Sequence, residues 1–551
     1  MSSVSPAELE ALQKCMDRVA RGRKVAAACI YGSKAAGYAR QDSDIDVMVV
    51  LENYPYRVKY AYMKESGVDV SALVVDKKSL ERDAKSAHMG EFVAGRLLHV
   101  YEPIANPEFF SEVERTYKRR VILEELQELV KSTSALATEI SFPLEYIAFS
   151  KVRRRAAMYP NAVYSYFKTY TVSPRNLDFA MQGYRRALAD IVIEDPGLLM
   201  IDGQMLRLSK ERVRFARGGP ALLLTKKLRH FISSYVIHSY AGRHTFHLAA
   251  KEAESKIRRH IRQPIEFPPF LACPACAYWK IPEGVLVAAA ADRHKEDWLD
   301  AVAEAHGISE YSAKKRRLGN PNSRTMLYTL KHDDGKNELK IAAKELARTK
   351  SVKWAALSMW TAQVKKFKVD PMFRLGTEYR AIRYLRTLGL RTPEIEAVVL
   401  DRRILATRFM DGTSLAGIIR GALAGKEGLA IIREAGRQVA IVHAAGACFG
   451  NIKPKNVIAG DNEQQLWFTD LEQFVFEGGD PAWDLAQFVC WGLKGNTNAP
   501  AAAKVAAEFL EGYGNEKVAG RLAQSKRYIE NFLPVLSPQV ARAIKNVARS
   551  I

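Results

Sequence analysis

Two carboxylates stand one residue apart at Asp44-Ile45-Asp46, immediately before the apolar run Val47–Leu51, and ten residues separate them from Tyr31-Gly32-Ser33. On a strand, residues two apart face the same side, so Asp44 and Asp46 present their oxygens to one point. Hard oxygen donors so placed suit Mg²⁺ holding a nucleoside triphosphate, and a second metal there would steady attacking and leaving oxygens. Gly32 lets backbone approach a phosphate closely, and the hydroxyl and amide of Ser33 can bond to it. A third carboxylate on a neighbouring strand would complete the cage, and Asp69 in Val68-Asp69-Val70 is the best candidate. A lone Asp-x-Asp is common and is usually a solvated turn; joined to Gly-Ser at this distance and to a strand, it becomes specific.

These residues resemble the nucleotidyltransferase superfamily that includes the minimal nucleotidyltransferases and the tRNA CCA-adding enzymes, over about the first hundred residues. The resemblance implies metal binding by Asp44 and Asp46, a catalytic role for Asp69, triphosphate binding by Gly32 and Ser33, and a nucleoside triphosphate at the N-terminal site. Domains of this fold also serve as RNA-binding modules, so activity and binding both stay open.

Near the other end, His443 and the stretch Phe449-Gly450-Asn451-Ile452-Lys453-Pro454-Lys455-Asn456 precede Phe468-Thr469-Asp470-Leu471-Glu472. This resembles a kinase catalytic loop followed by a metal-binding motif. The resemblance implies that Asn456 and Asp470 bind Mg²⁺ or Mn²⁺ across the phosphates of ATP, and that Lys453 neutralises the transferring phosphoryl group. Asp484, in Gly479-Asp480-Pro481-Ala482-Trp483-Asp484, matches the buried Asp that braces that loop in aminoglycoside phosphotransferases and atypical kinases. Upstream, Lys353 lies 25 residues before Glu378, a spacing that matches the ion pair in which a strand lysine grips the α- and β-phosphates and a helix glutamate orients it. Arg391-Thr392-Pro393 and Phe409–Leu415 are similar to segments around the hinge of the RIO and KEOPS-complex kinases. In all, the resemblance spans about residues 330–495.

Two positions depart from the kinase pattern. Asn451 stands where the catalytic Asp belongs, and Glu472 replaces the glycine after the metal-binding Asp. Asparagine cannot accept the hydroxyl proton, although it can orient a nucleophile; because phosphoryl transfer rests mainly on positioning and electrostatics, losing the base lowers the rate and need not abolish it, and a pseudokinase that binds ATP as a structural ligand stays open. Leu318-Gly319-Asn320 is the nearest feature to a phosphate loop.

The elements that must hold these residues follow from periodicity. Glu8–Arg21 has helical spacing, and Lys24–Tyr31, Asp46–Leu51 and Val68–Val75 read as strands, giving a small α/β unit over 1–115. Residues 116–295 read as a mainly helical basic domain with one hairpin, Gly197–Ile201 and Met205–Leu208 about Asp202-Gly203, followed by a Ser209-x-x-Arg helix that could complete a winged-helix-like unit. Residues 296–551 read as a helix, β-type runs at Met326–Leu330 and Val352–Met359 with a turn at Asp333-Asp334-Gly335, and then helices. The expected fold class is therefore multidomain α/β and α+β: a nucleotidyltransferase fold, a basic helical middle domain, and a two-lobed protein-kinase-like C-terminal domain.

Charge gives the partner class. The 551 residues carry 83 Lys and Arg against 61 Asp and Glu, a surplus of 22, which concentrates polyanions around the molecule. Residues 207–262 hold fourteen Lys and Arg against three Glu. There His244 and His247 lie among Arg243, Lys251, Lys256, Arg258 and Arg259, with Tyr240 and Phe246 interleaved, a pattern that could contact phosphates and stack on bases. Six irregularly spaced cysteines do not make a secreted disulfide framework. Cys273-Pro-Ala-Cys276 is half of a zinc ribbon, and no second pair follows. No apolar run spans a bilayer and no signal peptide opens the chain, so a cytoplasmic protein without membrane contact is expected.

The combination resembles archaeal RNA kinases of the RIO/KEOPS-related group, whose family chemistry transfers the ATP γ-phosphate to a ribose 2′-hydroxyl of tRNA. The expected function is an ATP-dependent phosphotransferase acting on RNA, with tRNA the first candidate. Two alternatives stay open: an atypical Ser/Thr protein kinase of the same type, and an RNA-binding pseudokinase scaffold.

Overall fold

A computed structural model describes residues 4–40, 43–158, 169–170, 172–209, 279–287, 298–319, 324–332, 338–346, 367–460, 465–524 and 528–551. Contacts gather the chain into two units, Met1–Lys131 with Ser141–Lys280, and Ser132–Ile140 with Ile281–Ile551.

The first unit opens with α1 (Pro6–Ala20), whose start is written in its sequence. Ser5 Oγ accepts from Glu8 N at 3.3 Å while Ser5 N donates to Glu8 Oε2 at 2.7 Å, a capping box with Pro6 in the first turn. Its apolar face (Leu12, Cys15, Met16) buries Ala28, Ile30, Val47, Val49, Val70 and Ala72, which lie on one side of a five-stranded sheet. The strands are β1 (Val25–Tyr31), β2 (Ile45–Leu51), β3 (Val58–Glu65), β4 (Val68–Asp76) and β5 (Glu102–Ala105), in spatial order β3-β4-β2-β1-β5. β2 and β4 run parallel, while β1–β2, β3–β4 and β1–β5 pair antiparallel. A one-turn helix, α2 (Gly32–Ala35), leaves the end of β1. Asp76 caps α3 (Lys77–Ser86) by accepting from Ser79 N at 3.0 Å.

The boundary expected near residue 115 falls inside α4, which runs unbroken from Pro107 to Thr133. This helix and α5 (Leu144–Met158) bury charged side chains beside their apolar ones. Glu91, fully buried, receives Arg120 at 2.9 Å, Lys151 at 2.7 Å and Arg155 at 2.9 Å, and Glu114 receives the fully buried Lys118 at 2.6 Å. Each buried charge is paired, as desolvation requires. After α6 (Pro174–Glu194), β7 (Leu199–Asp202) and β8 (Met205–Leu208) form the expected hairpin, with β6 (Ser141–Pro143) as a third strand. Because Asp202 pairs with Met205, the two-residue turn is Gly203-Gln204, one residue later than expected, and Gly203 adopts φ +57. The helix expected after Ser209, most of the basic stretch 207–262, and Cys273 with Cys276 lie outside the described residues.

The second unit begins before residue 296. β9 (Val285–Val287) joins its six-stranded sheet, ordered β10-β11-β12-β14-β13-β9, by pairing parallel with β13 (Ile395–Val399). The remaining strands, β10 (Tyr311–Leu318), β11 (Thr325–His332), β12 (Glu338–Glu345) and β14 (Ile404–Arg408), pair antiparallel. β11 contains the expected run Met326–Leu330 and makes a hairpin with β12; the turn Asp333-Asp334-Gly335 and the run Val352–Met359 lie outside the described residues. Helix α7 (Trp298–Ala305) covers one sheet face through Trp298, Leu299 and Val302 against Tyr328, Leu330, Ile341 and Val399.

Helix α8 (Pro371–Thr387), capped by Asp370 accepting from Phe373 N at 2.7 Å, carries Glu378. The helical half expected to follow is present as α9 (Leu415–Leu423), α10 (Leu429–Ala444), α11 (Pro481–Gly492), α12 (Ala499–Tyr513), α13 (Glu516–Gln524) and α14 (Pro538–Ser550). A three-stranded sheet, β15 (Thr413–Ser414), β16 (Val457–Ala459) and β17 (Leu466–Phe468), is set among them. Among the described residues no helix is long and apolar enough to cross a membrane.

Candidate functional site

In the first unit, strand register decides which carboxylates share a face. Ile45 pairs with Val70 in the parallel β2–β4 ladder, so Asp44 and Asp69, each one residue earlier, fall on the same side as Asp46 and its partner Ser71. This is the side opposite α1. Gly32 sits against Asp46: a Cβ there would lie 2.4 Å from Asp46 Oδ2, and the backbone has φ +75. Close approach and left-handed backbone thus both demand glycine. Ser33 follows in α2, and the neighbouring Lys34 is drawn to Glu8 at 2.6 Å. Asp69 is 61% exposed and lies 3.8 Å from Lys64 of β3.

In the second unit, three segments bring one cation among three carboxylates. Lys344, near the end of β12, donates to Glu378 Oε2 of α8 at 2.8 Å, to Asp470 Oδ1, and stands 3.7 Å from Glu472 Oε2. Lys344 faces away from Ile341 and Ala343, which pack under α7, because strand residues alternate. Asp470 follows β17 with φ +59, a left-handed conformation uncommon for a residue with a Cβ. Asn456, just before β16, donates from Nδ2 to Asp470 Oδ2 at 2.9 Å, and its carbonyl receives Thr469 N at 2.9 Å and Thr469 Oγ1 at 2.8 Å. Glu472 is held by the fully buried Arg374 at 2.9 Å.

Oxygens of Glu378, Asp470 and Glu472 lie within 4.8 Å of one another. Burial, together with the Asp470 and Glu472 carboxylates and opposed by Lys344, pushes Glu378 up to about 7. Burial works against the charged Lys344, but Asp470, Glu378 and Glu472 outweigh it and hold its pKa above the ordinary lysine value. The cluster therefore keeps its lysine charged and makes Glu378 easier to protonate than an ordinary glutamate. Asp470 and Asn456 offer hard oxygens on converging loops, a donor set that fits Mg²⁺ or Mn²⁺.

Asp484, with no exposed surface, accepts from Phe449 N at 2.6 Å, from Gly450 N at 2.8 Å and from His443 Nε2 at 3.2 Å. His443 in turn contacts Tyr513 Oη at 2.9 Å. Thus the buried carboxylate fixes the backbone just before Asn451. Although His443, Cys448 and Asp484 also converge, both Asp484 oxygens are engaged in holding this loop. Asn451 is buried, and Lys453 lies with Nζ 4.9 Å from the Trp491 ring.

Of the expected site residues, Glu378, Asn456 and Asp470 are brought together, with Asn451 and Lys453 on the loop that leads to Asn456. Lys353 lies outside the described residues. Among the described residues the lysine bonded to Glu378 is Lys344, nine residues before Lys353. Its signal was present in the sequence: an apolar Ile341-Ala342-Ala343 run ending in lysine on the strand after a hairpin. Gly319, at the end of β10 with φ +79, begins the connection to β11, and Asn320 falls outside the described residues.

Residues 13–97 match the family model described as polymerase beta, nucleotidyltransferase. The N-terminal domain is thus nucleotidyltransferase-like, and the match spans β1 to β4 and the two Asp-bearing strands. No curated protein matches the chain. Among solved structures, the erythromycin complex of the Mycobacterium tuberculosis protein Rv3197 aligns at 11% identity over 46% of this chain and 83% of that one, with a TM-score of 0.22. A nucleotidyltransferase-like protein from Exiguobacterium sibiricum aligns at 10% identity over 59% of this chain and 99% of that one, with a TM-score of 0.16. Neither score bears on the fold.

Proposed function

We propose that the second unit is an ATP-dependent, kinase-like phosphotransferase acting on RNA, with tRNA the first candidate, and that the nucleotidyltransferase-like domain supplies a second nucleotide site or an RNA-gripping module. The observation that carries the phosphotransferase reading is Lys344 bonded at once to Glu378 and Asp470, with Asn456 bonded to the same Asp470. A lysine for phosphates, a glutamate to orient it and an Asp/Asn pair for the metal are the parts that phosphoryl transfer needs. In this reading Lys344 takes the role that spacing gave to Lys353. With magnesium–ATP bound, the ion would supply charge neutralisation at the phosphates; Asn451 orients the acceptor hydroxyl, and Lys453 leaves Trp491 for the transferring group. RNA is favoured as acceptor by the surplus of 22 positive charges.

One observation favours a second reading, a pseudokinase that binds ATP as a structural ligand: a base is missing at Asn451. Incubation of the full chain with γ-labelled ATP, tRNA and a protein extract separates the readings. Label is expected in RNA, lost in Lys344→Met and Asp470→Ala and retained in Lys353→Met. Label confined to protein supports a protein kinase. ATP binding without label, unchanged by Asn451→Asp, supports the scaffold. Failure to bind ATP at any metal concentration sinks both nucleotide readings of this unit.

A further inference from the structure

The five-stranded sheet carries more than carboxylates on its site face. Register aligns Tyr62 of β3 with Ser71 of β4, Ser71 with Asp46 of β2, and Asp46 with Tyr31 of β1, a single row across four strands. Antiparallel and parallel partners share a face, so Tyr62 stands on the same side as Asp46. Neighbouring strands are about 4.8 Å apart, which puts Tyr62 about 10 Å from Asp46 with only the small, buried Ser71 between them. The next row outward is Lys64 and Asp69, in line with Asp44.

Tyr62 is 44% exposed, and its ring lies nearly parallel to that of Tyr60, centroids 5.9 Å apart and planes 13° from each other. Tyr60 is itself fixed: its hydroxyl receives Arg96, and Phe92 packs edge-on at 6.3 Å. The sheet therefore backs one exposed aromatic ring with a second immobilised one, at the strand beyond Asp69.

We propose that Tyr62 is a stacking platform for a nucleobase of a single-stranded polynucleotide acceptor, whose backbone passes Lys64 and whose reacting hydroxyl reaches the Asp44, Asp46 and Asp69 face. The inference rests on the reading of that face as a nucleotidyltransfer site and adds the acceptor class and the residue that receives it. Exposed aromatics with adjacent cations are what unpaired strands use, because every base has a stacking face and every linkage an anion. The acceptor is a polyanion, in keeping with the net charge of the chain.

The test uses the full chain and a short oligouridylate bearing 5-iodouracil, at high salt so that phosphate contacts elsewhere weaken. Photocrosslinking is expected to map to Tyr62. Tyr62→Ala should lower oligonucleotide affinity about tenfold while Tyr62→Phe retains it, with magnesium–nucleotide binding the same in all three proteins. Equal oligonucleotide affinity in Tyr62→Ala, with crosslinks elsewhere, overturns the proposal. Loss of magnesium–nucleotide binding instead of oligonucleotide binding also overturns it, since Tyr62 would then serve the incoming nucleotide. In parallel, an Asp44→Ala, Asp46→Ala double variant that binds magnesium–nucleotide normally removes the transfer site itself; crosslinking at Tyr62 would then report RNA binding alone, and the acceptor role falls.

Discussion

At the scale of single residues, the N-terminal site depends on an absence. Gly32 has no side chain where Asp46 needs room, and its φ of +75 is costly for any other residue. Gly32→Ala is expected to cost about 1–3 kcal/mol of stability. The added methyl must displace the Asp46 carboxylate, so magnesium–nucleotide affinity should fall by roughly tenfold, as when a ligand loses its support. Calorimetric titration of the variant checks this; unchanged affinity would place the metal site elsewhere. In the second unit, Lys344 plays the opposite part, a single ammonium whose charge satisfies Glu378 and Asp470 together.

At the scale of elements, the loop before Asn451 is positioned by one carboxylate on α11. Asp484 accepts two backbone N–H groups on Phe449 and Gly450, which otherwise would be buried without an acceptor. Asp484→Ala should destabilise the protein by about 2–4 kcal/mol. Asp484→Asn keeps the shape but offers one oxygen for two donors, so it should lose less. Denaturant melts of the two variants check the order, and equal losses would show that shape rather than acceptor count is what matters. Helices of the first unit illustrate a different rule: α4 and α5 turn Glu114, Lys118, Lys151 and Arg155 inward as paired charges, the last two on the buried Glu91 that precedes them in the chain.

At the scale of the whole molecule, the chain leaves and re-enters its units. Ser132–Ile140 belongs with the second unit although it lies within the sequence of the first. Leu136 is fully buried, and a Cβ on Gly376 of α8 would lie 2.4 Å from Leu136 N. Glu139 of the same segment pairs with Arg383 and lies 3.6 Å from Arg380. Leu136→Ala should therefore cost about 2–5 kcal/mol in the second unit and leave the first unit's stability unchanged. Pulse proteolysis with fragment identification distinguishes the two, and loss of the first unit instead would reassign the segment.

The sequence alone determined the local features that short-range chemistry fixes: the helix over Glu8–Arg21, found as Pro6–Ala20, the strand alternation that pairs Asp44 with Asp46, the hairpin around Gly203, and the ordered motifs from Phe449 to Asp484. Such features rest on residues a few positions apart, whose geometry the backbone imposes. Only tertiary structure decided that Lys344 meets Glu378, because strand alternation with the α7 packing turns it toward Asp470. It alone decided the row from Tyr62 to Asp46, since register between strands is set by side-chain packing across the whole sheet. The buried charges on α4 and α5 were likewise hidden from periodicity, which reads polar residues as solvent-facing unless their partners, distant in sequence, are known.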